Sequence, residues 1–376
     1  LHYSQSYDAE TKKLIVTVEQ QQNFNQFPVF QLPIDIDIYT VGRVERKSVF
    51  VTQKKQSFEF ETSQPLLVNF DAEKVILCKK TEEKPKEQWV YQLNNAPLYL
   101  DKKEAFAQIK NNKDVASNDA IFRLLNAPFF EFKNMAMTNL SGVKELHEIA
   151  LHETLISLTK NKNSSVRKNA YQSLSEHYSS HDTHESVLES GMKDSSYQVI
   201  GACLDGLAAI NPEKAIALVK GLENEKSSSV KEIITGLYAE YGDKSNHDFF
   251  LSAIKSTNGF AKYGLLSQYS NFLSRMDETE ISKSILMYKE VITNSSAWWM
   301  KMVGYQGLIS GKNRIANRIE ELKTELTLVS EPTMKSKIER EISEFGMELN
   351  KMETTLAQLK GEEKDAKVID YLNNMR

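Results

Sequence analysis

Residues 27–39 read FPVFQLPIDIDIY, and the second half of that stretch sets the reading of everything before residue 93. Ile34, Ile36 and Ile38 alternate with Asp35 and Asp37, the period of two that turns apolar side chains to one face of a strand and carboxylates to the other. Leu14, Val16 and Val18 repeat the pattern upstream, and Phe58 and Phe60 repeat it downstream against Glu59 and Glu61. Leu1 to Asp8 also reads as strand, and apolar runs at Val49 to Val51, Leu66 to Phe70 and Val75 to Leu77 bring the total to about seven, at the spacing of an antiparallel sandwich. Residues 1–93 are therefore expected to form an Ig-like β-sandwich. The charged run Glu82 to Glu87, broken by Pro85, reads as an exposed turn between the last two strands or the start of a linker.

From Asp101 the period becomes helical, with Asp101 and Glu104 in capping-box positions before Ala105, Phe106 and Ile109. A repeat follows: Ser164-Ser165-Val166, Ser195-Ser196-Tyr197 and Ser228-Ser229-Val230 recur after 31 and 33 residues. Past each triplet comes a small or apolar residue (Ala170, Gly201, Ile234) and then a leucine (Leu174, Leu204, Leu237). Residues 94–310 are expected to be a HEAT/armadillo-like α-helical array, in which each helix pair buries its face against its neighbours. Beyond it, Ile315, Ile319, Leu322, Leu326 and Val329 step by four and three, as do Ile338, Ile342, Phe345, Leu349, Met352, Leu356 and Leu359. Ser330-Glu331-Pro332 supplies the turn between these seams, so 311–376 is expected to be an antiparallel coiled-coil hairpin with a C-terminal helix.

Composition narrows the function classes. The 376 residues are 40% hydrophobic and 26% charged, a balance that supports a packed core. A net charge of −4 and the lack of a basic patch interleaved with aromatics argue against a nucleic-acid partner. No stretch reaches the roughly 18 to 20 apolar residues of a membrane helix, so no transmembrane segment is expected. Any targeting segment is expected upstream of Leu1, which leaves localisation open between cytoplasm, periplasm and secretion. Cys78 and Cys203 are too far apart for a zinc ribbon and are expected to be buried thiols.

The motifs that resemble catalytic ones fail on spacing. His147-Glu148 with His152 mimics a zinc-binding HExxH, yet histidines at i and i+5 diverge by about 140° around a helix and cannot share a metal. They read as two histidines on a surface helix. His177, His181 and His184 would share a face only if one helix ran through them; Ser179-Ser180 and Asp182-Thr183 mark an exposed inter-helix turn with adventitious metal affinity at most. Of the adjacent Trp298 and Trp299 at most one can point into the core, which is the favoured reading, with an aromatic contact surface as the other. Ser310-Gly311-Lys312 lacks the earlier glycine of a phosphate loop. No catalytic, cofactor-binding or metal-ligating residue is therefore assigned.

Leu14 to Gln22 (LIVTVEQQQ), Phe27 to Tyr39, Val68 to Asp71 (VNFD) and Trp89 to Leu93 (WVYQL) resemble, in order, the small β-domain that follows the catalytic domain in the aminopeptidase N family of zinc metallopeptidases. In that family HEAT-like repeats come next, and the order here is the same to about residue 310. The resemblance implies a non-catalytic C-terminal portion of a zinc metalloaminopeptidase that caps the active-site cleft and restricts access to peptides. Zinc is expected in the missing catalytic domain, with that domain and the parent's peptide substrates as partners and a homodimer through the C-terminal hairpin as a further expectation. The family's HExxH, its GxMEN strand and its oxyanion tyrosine have no counterpart here; Gly346-Met347-Glu348-Leu349-Asn350 has similar letters in the wrong order, within a heptad helix. The alternative is a protein-interaction scaffold from a catalytically inactive, aminopeptidase-like parent.

Overall fold

The protein is described by a computed structural model covering residues 1–225 and 227–374. It divides into a compact unit from Leu1 to His181 and a second from Asp182 onward. Among the described residues no helix is long and apolar enough to cross a membrane.

The first unit opens with β1 (His2–Asp8), β2 (Lys13–Glu19), β3 (Leu32–Thr40), β4 (Arg43–Val51), β5 (Lys55–Glu61), β6 (Leu67–Phe70) and β7 (Thr81–Glu83). They form a four-stranded sheet in the order β5-β2-β1-β7 and a three-stranded sheet in the order β4-β3-β6. All pairings are antiparallel except β1 with β7. The alternating side chains of β2 (Leu14, Val16, Val18) and β3 (Ile34, Ile36, Ile38) turn inward into one core, where Tyr3 stacks on Phe70 at 4.6 Å. Each such aliphatic side chain, fully withdrawn from water, stabilises the fold by roughly 1.5 to 3 kcal/mol.

Three expectations fail at the end of this region. Val75 to Leu77 is not a strand: Val75 and Leu77 are exposed, and the Asp71 carboxylate accepts the N–H groups of Val75 and Ile76, each at 3.1 Å, holding a turn. Trp89 to Leu93 belongs to α1 (Lys86–Asn95), because Gln88, Trp89, Gln92 and Leu93 recur at helical spacing and are buried on one face. Residue 93, the expected end of the β region, thus lies inside a helix. Nor is Glu82 exposed. It sits buried between Lys80 at 2.5 Å and Lys84 at 2.8 Å, and burial outweighs Glu82 in pushing the Lys84 ammonium below its ordinary range.

Helix α1 packs on β6 and on α2 (Tyr99–Ile109). Gln88 Oε1 accepts the Val68 N–H at 3.0 Å, and the buried pair Lys74–Asp101 at 2.8 Å joins the turn after β6 to α2. Strands and helices here share one polar interior, with its charges paired as burial requires. The unit continues through α3 (Val115–Leu124), α4 (Phe130–Met137), α5 (Ser141–Leu158) and α6 (Ser164–Tyr178), with α1 on α3, α3 on α5, and α6 on both α4 and α5. Backbone dihedrals at His147 leave the helical region and kink α5.

The second unit contains α7 (His184–Gly191), α8 (Tyr197–Ile210), α9 (Pro212–Lys220), α10 (Ser228–Tyr241), α11 (His247–Ser256), α12 (Gly259–Ser274), α13 (Glu278–Lys283), α14 (Ile285–Asn294), α15 (Trp298–Leu328), α16 (Pro332–Glu362) and α17 (Ala366–Asn374). The serine triplets lie at the starts of α6, α8 and α10, and Ala170, Gly201 and Ile234 with the three leucines that follow are all buried. Within this unit α8 packs on α10 and α10 on α12. Gly201 permits the first of these approaches, since a Cβ there would stand 2.9 Å from Ile233 Cδ1.

Helices α15 and α16 run antiparallel against each other, as shown by the Tyr305 hydroxyl donating to the Leu359 carbonyl at 2.8 Å and the Lys301–Glu363 pair at 2.8 Å. Ile315, Ile319, Leu322, Ile338, Met352, Leu356 and Leu359 are buried along the seam, while Leu326, Ile342, Phe345 and Leu349 are half-buried. On another face of α15, Gly307 lies beneath the Tyr288 ring of α14, where an added Cβ would overlap the ring.

Candidate functional site

The histidines singled out by spacing do not converge. His147 Nε2 lies 2.6 Å from Asp119 Oδ1, and its ring stacks on Phe122 at 4.6 Å. His152 instead stacks on His181 at 4.3 Å, and burial, then the neighbouring His181, holds it below the ordinary histidine range. His177 lies in the last turn of α6, half-buried, with its carbonyl accepting Lys144 Nζ at 2.7 Å. His181 is exposed as expected of a turn, but His184 is buried as the first residue of α7. No group of three His, Cys, Asp or Glu side chains placed to hold a metal occurs among the described residues. Gly311 is enclosed by Ile281 and Met352 within α15, which leaves no loop to surround a phosphate. Cys203 is buried, and burial pushes its thiol up to about 12; Cys78 is exposed, contrary to expectation.

Neither tryptophan enters the core. Trp298 is half-exposed with Lys367 Nζ 4.8 Å over its ring, and Trp299 turns toward Tyr263 at 5.7 Å and Phe260 at 6.2 Å. Trp299, with Tyr263 and Phe260 packed against its ring, lines a groove of about 690 Å³ between the end of α11, the start of α12, the end of α13, one face of α14 and the start of α15. Met287, Glu290, Val291 and Asn294 reach it together because their spacing places them on one side of α14. Ile254, Met287, Val291 and Met300 form a buried apolar floor, whereas Phe260, at 79% exposure, and Leu286, at 66%, stand at the surface beside it. Lys255, Lys262 and Lys283 carry positive charge along its sides, with Glu290 the lining carboxylate.

Behind Lys283 lies a buried polar chain that the sequence pattern did not single out. Lys283 Nζ reaches Glu280 Oε1 at 2.6 Å, Glu280 Oε2 lies 2.7 Å from His247 Nδ1, and His247 Nε2 lies 2.6 Å from the Tyr269 hydroxyl. Burial works to raise the Glu280 carboxyl, but hydrogen bonds from Lys283 and His247 outweigh it and hold the group below its ordinary range. Burial pushes the Tyr269 hydroxyl well above its usual value, so it stays neutral. His247, Tyr269 and Glu280 are all buried, and the chain fixes α11, α12 and α13 behind the groove wall. Only tertiary packing brings these residues together, and an isolated histidine after Asn246 carries no spacing signal.

No family model matches the chain, and no curated protein matches it. Among solved structures it is similar to the Legionella pneumophila aminopeptidase A in complex with aspartic acid, at 10% identity over 91% of this chain and 49% of that one, with a TM-score of 0.47. It is also similar to the complex of CpcE and CpcF of phycocyanin lyase from Nostoc sp. PCC7120, at 14% identity over 72% of this chain and 98% of that one, with a TM-score of 0.38. At these values the likeness says nothing about chemistry. The chain spans about half the length of the aminopeptidase chain.

Proposed function

We propose that this chain is the non-catalytic C-terminal portion of a zinc-dependent metalloaminopeptidase, and that its helical region covers the parent's catalytic cleft and restricts admission to peptides. One observation carries the reading: the ordered residues 14–22, 27–39, 68–71 and 89–93, which resemble the small β-domain of the aminopeptidase N family, fall on β2, β3, β6 and α1 and supply much of the core of the β region and its junction with the helices. The Ig-like and HEAT-like assignments belong to the same reading, supported by two facing sheets and by helices that begin at serine triplets 31 and 33 residues apart. Zinc, the catalytic domain and peptide substrates are the implied partners, with the α15–α16 pair as a brace or a surface for self-pairing.

The test compares this chain with the longer parent that the reading implies, by zinc content after dialysis and by hydrolysis of aminoacyl anilides. One zinc and turnover in the parent, with neither in this chain, supports the proposal. Stoichiometric zinc and turnover in this chain alone would overturn it. The exposed aromatic groove favours a second reading, an interaction scaffold from a catalytically inactive parent, which a longer protein lacking both zinc and turnover would select.

A further inference from the structure

We infer that the groove between α11, α12, α14 and α15 is a docking site for an acidic peptide segment of a partner protein, anchored by an apolar or aromatic side chain. The inference is independent of the aminopeptidase reading, because it rests on the groove alone. Its shape and floor come first: about 690 Å³ over Ile254, Met287, Val291 and Met300 accommodates one or two large side chains. Phe260 and Leu286 hold apolar surface in water beside it, and Tyr263 and Trp299 extend the aromatic border, the residue types that dominate binding energy in protein interfaces.

Charge selects the occupant. Among the described residues Lys255 and Lys262 have no carboxylate partner, and Lys283, although bonded to Glu280, leaves 55% of its side chain in solvent. Glu290 offsets part of this charge, and Glu280, Asp248 and Asp277 all act on Lys283, so the charge left without a carboxylate partner is that of Lys255 and Lys262. The first turns of α12 and α15 open at the same place, and neither Asn258 nor Ala297 caps them with a side chain, so backbone N–H groups add partial positive charge on the same side. An apolar floor under cationic walls complements a segment in which carboxylates flank an apolar residue. Single-stranded nucleic acid would also stack on the rings, but it needs a basic track along its phosphates, and this chain carries a net charge of −4.

The experiment is fluorescence anisotropy of the whole chain with a labelled twelve-residue peptide of glutamates around one phenylalanine and one leucine. The expected result is saturable binding, weakened about tenfold or more by Lys255→Glu with Lys262→Glu, and weakened by added salt as exposed charges are screened. Phe260→Ala, at an exposed position and with the fold checked by circular dichroism, should weaken it about fivefold or more. A glutamine-for-glutamate peptide should bind at least about tenfold more weakly. No saturable binding, equal binding of the glutamine peptide, or indifference to the lysine substitutions would each overturn the proposal. Tighter binding of a labelled oligothymidylate would reassign the groove to nucleic acid. Concentration-dependent dimerisation in sedimentation, abolished by the lysine substitutions, would reassign it to a second copy.

Discussion

Glu280 and His247 are held 2.7 Å apart inside the helical unit, the carboxylate of α13 reaching the first residue of α11 while the far side of the same ring meets Tyr269 of α12. One imidazole thereby ties three helices, and the stability of that tie depends on the carboxylate remaining charged.

Glu280→Gln is expected to cost about 1.5 to 3 kcal/mol at pH 7, since it weakens charge-assisted bonds in a buried site. The folded carboxyl titrates below its ordinary value, so its contribution is complete above the unfolded value of about 4.3 and is lost as pH falls through the folded one. Urea melts from pH 7 down to pH 3 should therefore show wild type and variant converging below about pH 4.5. A constant gap across that range would contradict the assignment.

Glu82→Gln should be strongly destabilising, by about 3 kcal/mol or more, because Lys84 is buried and Lys80 nearly so and both would lose their shared carboxylate. The double substitution Glu82→Leu with Lys84→Met should recover much of that loss. Thermal melts of the single and double variants separate a desolvated charge problem from a packing one.

Glycine positions make opposite predictions on the two long helices. Gly307→Ala on α15 would press a methyl into the Tyr288 ring, a clash worth about 1 to 3 kcal/mol that outweighs the helix-propensity gain of about 1 kcal/mol. Gly346→Ala on α16 meets nothing within 4 Å and should stabilise by about 0.5 to 1 kcal/mol. Chemical denaturation of both variants checks the sign of each.

Leu322→Asp places a carboxylate in the buried seam between α15 and α16 and should cost about 3 kcal/mol or more. Leu328→Asp, on the same helix at 79% exposure, should change stability by less than about 0.5 kcal/mol. Equal effects would place the seam elsewhere.

Strand and seam residues were legible because their periods are long and unambiguous: Ile34 to Ile38 cannot alternate by chance over a helix, and Ile315 to Leu322 cannot sit together on a strand. Short windows misled. Five residues at Trp89 to Leu93 satisfy either period, and only Gln88 and Gln92, buried on the same face as Trp89 and Leu93 to serve Val68 and Asp101, show that the helical one prevails. Val75 to Leu77 is apolar enough for a strand, yet Asp71 takes its N–H groups before a sheet can. Glu82 looked solvated because its partners Lys80 and Lys84 are buried only once Lys84 reaches Gln92 and Trp89 of α1 and Lys80 reaches Glu104 of α2. The groove was half visible in Trp299, but its lysines and floor come from five separate helices, α11 to α15, and no local pattern announces that meeting.

The equivalent repeat positions are filled by alanine, glycine and isoleucine at 170, 201 and 234, and the gap at Gly201 is occupied by Ile233 of the next repeat. What that interface keeps fixed is a total volume shared between neighbours rather than the size of any one side chain. Adjacent repeats are therefore fitted pairs. Copying residues 195–208 onto 228–241 in the repeat register would keep an isoleucine at 233, from Ile200, but would put glycine in place of the buried Ile234 and leave a hole there, so the array cannot be lengthened or shuffled by duplicating a single module without a compensating change in the module beside it.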